Sequence, residues 1–318
     1  MLTYVLFVIG FFILIKGADL LVDGASSIAQ KFRISPLVIG LTIVAFGTSA
    51  PELVVNIFAS ASGNAEIAIG NILGSNIANI LLILGISAAI YPLASKRNTV
   101  WKEIPLCLLA TLVLGAMAND ILIDGAGLSI LSRIDGFILI AFFVIFLYYT
   151  FGIAKVSGGD SDVEIKKYGL GKSALFIILG LAGLVLGGQW IVDGAVKIAE
   201  YFGISQSLIG LTIVAVGTSL PELATSAIAA YKKQSDIAIG NVVGSNIFNI
   251  FWILGLSSTI RPLPFNPSAN IDILMTIGAT LILFLLMFVG KRNIIERWQG
   301  VFMVVLYFIY TGFLVLTR

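Results

Sequence analysis

The 318-residue chain is 58% hydrophobic and only 11% charged, with a mean hydropathy of +1.06 and a net charge of +2. A soluble domain carries roughly a quarter of its residues as charges, so most of this surface must meet lipid, and the charge balance points to no nucleic-acid partner. The absence of His excludes His-ligated zinc, bis-His haem and imidazole proton relays, and the single Cys107 can form no intrachain disulfide and reads as a small buried hydrophobe.

From the N-terminus, MLTYVLFVIGFFILI has neither a basic leader nor a small-residue cleavage site and runs on into LLVDGASSIA, so it reads as a retained first span. Apolar runs able to cross about 30 Å of hydrocarbon as helices then recur along the chain, at approximately 2–30, 36–61, 67–91, 101–118, 136–155, 172–199, 206–231, 237–260, 271–290 and 298–317. Helices are required because lipid offers no hydrogen-bond partner to an open sheet edge.

Alternate loops differ sharply in basic residues. One set holds Lys31, Arg33, Lys96, Arg97, Lys102, Lys155, Lys166, Lys167, Lys172, Lys232, Lys233, Lys291, Arg292 and Arg297, the other only Arg133, Arg261 and Arg318. One missed or invented span in mid-chain would scramble that bias, so it supports ten spans and both termini outside; the expected location is an inner (plasma) membrane.

The chain also repeats itself. LVDGASSIAQKFRISPLVIGLTIVAFGTSAPEL from Leu21 matches IVDGAVKIAEYFGISQSLIGLTIVAVGTSLPEL from Ile191, an offset of 170 that also aligns IAIGNILGSNIANILLILG with IAIGNVVGSNIFNIFWILG and IYPL with IRPL. Each copy holds five spans, and an odd number inverts the second copy. The predicted fold is therefore all-α and polytopic, ten transmembrane helices in two inverted five-helix repeats, 1–155 and 172–318, joined by a cytoplasmic linker at 156–171. Secondary transporters have this architecture, with their substrate site near the midplane where the halves meet.

Each second span carries an ionisable residue in apolar surroundings, Glu52 in GTSAPE and Glu222 in GTSLPE. An ionised carboxylate there costs several kcal/mol unless compensated, and a cation is the obvious partner. Pro51 and Pro221 each remove a backbone donor and crowd the carbonyl four residues back, which should release carbonyls around Ala45 to Thr48 and around Ala215 to Thr218. Thr48 and Glu52 share a helical face beside Ser49, as do Thr218 and Glu222 beside Ser219; Ser75 and Asn79, and Ser245 and Asn249, are likewise four apart. Together they offer hydroxyl, amide, carbonyl and carboxylate oxygens of the kind calcium and sodium take. Gly70, Gly74, Gly240 and Gly244 are expected to pack helices closely. Asn71 and Asn241 could support the glutamates or bond neighbouring helices, and Asp19, Asp23 and Asp193, near span ends, read as structural.

The doubled G-T-S-x-P-E and G-N-x-x-G-S-N-x-x-N segments resemble the paired alpha repeats of the calcium/cation antiporter superfamily, in its sodium/calcium exchanger branch, over essentially the full length. The resemblance implies an exchanger, not an enzyme, with Ca2+ and Na+ bound as substrates and no cofactor or required protein partner besides membrane lipid. Glu52 and Glu222 would be the main calcium ligands. Thr48, Thr218, Ser49, Ser219, Ser75 and Ser245 would add hydroxyl or carbonyl oxygens, Ala45 and Ala215 backbone carbonyls, and Asn79 and Asn249 would match the central site. Some relatives, potassium-dependent ones included, have Asp at the second of these positions, and two Asn here argue against potassium dependence. The resemblance also implies that the long first and sixth helices slide across the core and that about three Na+ exchange for one Ca2+. Eukaryotic relatives insert a large calcium-sensing domain between the halves, and a linker as short as 156–171 implies no regulation of that kind. A proton-coupled calcium exchanger is the alternative reading and a passive cation channel a remote one.

Overall fold

The computed structural model describes residues 2–125, 127–154, 167–202 and 215–317. The predicted linker as far as residue 166 and the start of the predicted span 206–231 lie outside the described residues. The chain is a helical bundle: α1 (Leu2–Phe32), α2 (Pro36–Thr48), α3 (Ala50–Ser62), α4 (Ala65–Ile90), α5 (Thr99–Met117), α6 (Arg133–Ala154), α7 (Leu170–Tyr201), α8 (Ala215–Thr218), α9 (Leu220–Tyr231), α10 (Ser235–Ile260), α11 (Asn270–Leu286) and α12 (Arg297–Thr317). Among the described residues eight helices are long and apolar enough to cross a bilayer, and the bent pair α2 and α3 makes a ninth span.

Local chemistry sets the breaks. Pro36 opens α2 and Pro51 sits in the first turn of α3, where a missing N–H costs no ladder bond. Between them Ser49 takes φ −81° and ψ 10°, and the axis bends by 49°. Gly63, at φ +82°, closes α3 in the left-handed region that a side chain resists, and the Asn64 side-chain Oδ1 then caps α4 by accepting from Ile67 N–H at 3.4 Å.

Repeat-equivalent helices α4 and α10 form the centre, 78% and 94% buried over their apolar windows against 17% for α12. They run antiparallel, as an inverted repeat demands. Lys96, just past the end of α4, pairs with Asp236 at the start of α10 at 3.2 Å, while Asn266, just past the end of α10, donates to Glu66 at the start of α4 at 3.1 Å. Two short ladders repeat this symmetry: β1 (Leu93–Ala94) pairs with β4 (Ile294–Ile295) at one end, and β2 (Ile130–Leu131) with β3 (Leu263–Pro264) at the other. The IYPL and IRPL segments recognised in sequence supply β1 and β3.

Outside this core α1 and α7 lie against each other along a track of small residues. Gly10, Gly17 and Gly24 recur every seven residues on α1, as do Ser173, Gly180 and Gly187 on α7. A Cβ at Gly180 would meet Leu21 N at 2.7 Å and Gly17 O at 2.8 Å, so the two backbones touch. Leu2, Val8, Phe12, Tyr148, Phe308 and Leu316 remain exposed on the periphery, an apolar surface suited to lipid.

Candidate ion-binding site

The break at Ser49 places Glu52 one turn into α3, pointing into the core, and the break at Ser219 does the same for Glu222 on α9; each is 1% exposed. The two halves exchange hydroxyls across the centre. Ser49 donates to Glu222 Oε1 at 2.8 Å and Ser219 donates to Glu52 Oε1 at 3.3 Å. Each carboxylate also accepts from its own half, Glu52 from Ser75 and Glu222 from Ser245, both at 3.4 Å. Ser219 reaches Ser75 as well, at 3.3 Å, and Thr218 and Thr48 lie beside Glu52 and Glu222 respectively. Both glutamates, both threonines and all four serines singled out in sequence are thus brought together.

Asn79 and Asn249 stand one turn beyond Ser75 and Ser245, where α4 and α10 widen into π-helical turns over Ala78–Ile83 and Asn249–Leu254. Such turns carry no composition signal and are frequent at functional sites. Among the described residues, four buried oxygens in this region find no hydrogen-bond donor: Oε2 of Glu52, Oε2 of Glu222, Oδ1 of Asn79 and Oδ1 of Asn249. A buried acceptor left unpaired is costly, and these four form two pairs related by the repeat. Among the described residues there is no group of three or more Asp, Glu, Cys or His that could hold a metal ion, so a cation held here would need neutral oxygens to complete its shell.

The carbonyls behave differently from the expectation based on proline alone. Ala45 O still accepts from Ser49 N–H at 3.0 Å and from the Thr48 hydroxyl at 3.3 Å, because Ser49 remains in helical register on the N-terminal side of the bend. Ala215 marks the start of α8, where Ser219 N–H bonds Val216 O at 3.1 Å.

Asn71 and Asn241 join helices within each half, Asn71 donating to Asn56 at 2.8 Å and Asn241 to Ser226 at 2.9 Å. Asn241 also supports the site, accepting from Thr48 at 3.0 Å and donating to the Glu222 carbonyl at 3.4 Å. Gly240 and Gly244 pack as expected: a Cβ at either would lie 2.8 Å from Leu37 O or 2.7 Å from Leu41 Cα. Nothing described lies within 4 Å of a Cβ at Gly70 or Gly74, whose repeat-equivalent neighbours, 207–211, fall outside the described residues. Asp19 and Asp23 share Lys232, each at 2.6 Å, while Asp193 is exposed. Sequence reasoning passed over Asn56, Ser226, Asn76 and Asn246, although the last two stand inside the doubled motif.

An inverted helical repeat with paired acidic side chains at its centre defines a polytopic membrane transporter. The sequence profile of the family described as sodium/calcium exchanger protein matches residues 2–152 and 172–316, and the chain belongs to that family of cation antiporters. It is 39% identical to the Escherichia coli inner membrane protein YrbG, over 85% of this chain and 83% of that protein. With the sodium/calcium exchanger MaX1 of Methanosarcina acetivorans it shares 35% identity over 98% and 97% of the two chains. The sodium-calcium exchanger NCX_Mj, solved after soaking with 10 mM Na+ and zero Ca2+, superposes with a TM-score of 0.85 at 35% identity, covering 98% of each chain.

Proposed function

We propose that this chain exchanges Na+ for Ca2+ across an inner (plasma) membrane by alternating access, with Glu52 and Glu222 as cation ligands shared by the competing ions. The observation that carries the reading is the set of four unpaired buried oxygens on Glu52, Glu222, Asn79 and Asn249. Two carboxylates supply about two negative charges, enough to neutralise one Ca2+ or to be neutralised by sodium ions. Ser49, Ser219, Ser75, Ser245, Thr48 and Thr218 add neutral oxygens, with the Ala45 and Ala215 carbonyls turning toward the ion once it is bound.

Coupling follows from the cost of bare charge. An empty site would carry two facing carboxylates through a low-dielectric crossing, so loaded forms switch and empty forms stall. Both termini lie outside and the linker at 156–171 inside, as the basic loops require. The contacts at the bundle ends support this sorting: Lys96 with Asp236, Arg297 with the Ile90 carbonyl, and Arg133 with the Thr259 carbonyl each join segments assigned to the same side.

Proteoliposomes holding the purified chain test this with the gradients imposed separately. Sodium-driven Ca2+ uptake, absent under a pH gradient alone, is the expected result. Uptake driven by the pH gradient without sodium assigns the coupling to protons, and uptake needing no counter-ion makes the chain a channel.

A further inference from the structure

Asn76 and Asn246 are fully buried and face each other across the repeat axis. Each donates its amide to the other's backbone carbonyl, at 3.2 Å in both directions. Their side-chain oxygens are also occupied: Asn79 Nδ2 donates to Asn246 Oδ1 at 2.9 Å, and Asn249 Nδ2 donates to Asn76 Oδ1 at 3.0 Å. Four amides therefore form a closed clasp between α4 and α10.

An asparagine can turn either its NH2 or its carbonyl toward a neighbour, and the surrounding donors and acceptors decide which. Here Asn76 and Asn246 spend their donors on backbone carbonyls and can present only oxygen to Asn249 and Asn79. Those two must answer with nitrogen, which sends their oxygens the other way. The oxygens so directed are the ones left without a partner among the described residues.

We propose that Asn76 and Asn246 are positioning residues that lock the side-chain amides of Asn249 and Asn79 oxygen-first toward the transported cation. The proposal rests on the reading of the site as a cation site. Ca2+ takes about six to eight oxygens and two carboxylates supply at most about four, so correctly turned neutral oxygens are needed to complete the shell. An amide turned nitrogen-first would instead aim positive hydrogens at the ion. The clasp also selects amides over acids at 79 and 249. A carboxylate there would face an asparagine oxygen with no proton between them, so the site keeps the formal charge of two glutamates.

The test is a double-mutant cycle on Ca2+ binding to the purified full chain, followed by the rise in melting temperature in detergent as Ca2+ is titrated. Asn76→Leu, of nearly the same size, is expected to raise the half-saturating Ca2+ concentration about tenfold while retaining a cooperative transition without Ca2+. Asn249→Leu should raise it at least as much, and the double variant no more than Asn249→Leu alone, because the lock then has nothing to orient. Asn246→Leu with Asn79→Leu gives a second, independent cycle if either of the first variants fails to fold. Wild-type half-saturation in the Asn76 and Asn246 variants, or losses that multiply in the doubles, would overturn the proposal. Because the readout is binding, a wild-type chain that binds Ca2+ without exchanging it would overturn the exchange reading and leave this one standing.

Discussion

Ser49 donates its hydroxyl to Glu222 Oε1 at 2.8 Å across 173 residues of sequence, so the break in one half completes the acid of the other. The converse bond, Ser219 to Glu52, is longer at 3.3 Å. A hydrogen bond to a buried carboxylate contributes about 1.5–3 kcal/mol.

Ser49→Ala should therefore reduce Ca2+ uptake at subsaturating Ca2+ by about tenfold or more. Ser219→Ala should cost less, in keeping with its longer bond. Uptake measured side by side checks the order, and a reversed order would mean that the shorter bond is not the stronger one.

The contact of α1 with α7 makes a prediction on two adjacent glycines. A Cβ at Gly187 would stand 2.7 Å from Leu14 N and 2.8 Å from Gly10 O, whereas at Gly188 the nearest atom among the described residues, Pro221 Cδ, is 3.9 Å away. Backbone cannot yield as a side chain can, so Gly187→Ala should cost about 1–3 kcal/mol and lower the melting temperature by several degrees. Gly188→Ala should leave it unchanged or raise it, since Ala is the better helix former by about 1 kcal/mol. Thermal unfolding in detergent reads both.

Lys232 ties the second half of α1 to the turn before α10, through Asp19 Oδ1 and Asp23 Oδ1 at 2.6 Å each and the Asp19 carbonyl at 3.1 Å. The repeat-equivalent positions are Ser62, Gln189 and Asp193, so α7 has no matching ion pair. Lys232→Met should remove these contacts to α1 and cost about 1 kcal/mol, the usual worth of partly exposed pairs. Amide hydrogen exchange should accelerate over residues 19–32 and not over 189–202. Equal acceleration of both segments would show that the tie stabilises the whole bundle and not α1 alone.

Duplication is what made the site legible. Glu52 or Ser75 alone in an apolar run could be an ordinary helix contact, but Glu222 and Ser245 at the same offset make the set visible, and the structure gathers these side chains as the spacing implied. Backbone detail was not legible. The π-helical turns that carry Asn79 and Asn249 add one residue per turn without any change of composition, and Pro51 broke the helix at Ser49 while leaving the Ala45 carbonyl bonded. Asn76 and Asn246 escaped because a buried amide declares its role only through its partner, which here lies 170 residues away. Asn56 and Ser226 escaped for the opposite reason: the repeat differs at that position, so identity between the halves did not mark it.

Sodium-driven Ca2+ uptake into proteoliposomes by Glu52→Gln and Glu222→Gln bears most directly on the paired carboxylates. Each substitution keeps the shape and removes one charge, and each should abolish uptake while the wild-type chain transports. Near wild-type uptake by either variant would contradict a shared site built on the two glutamates.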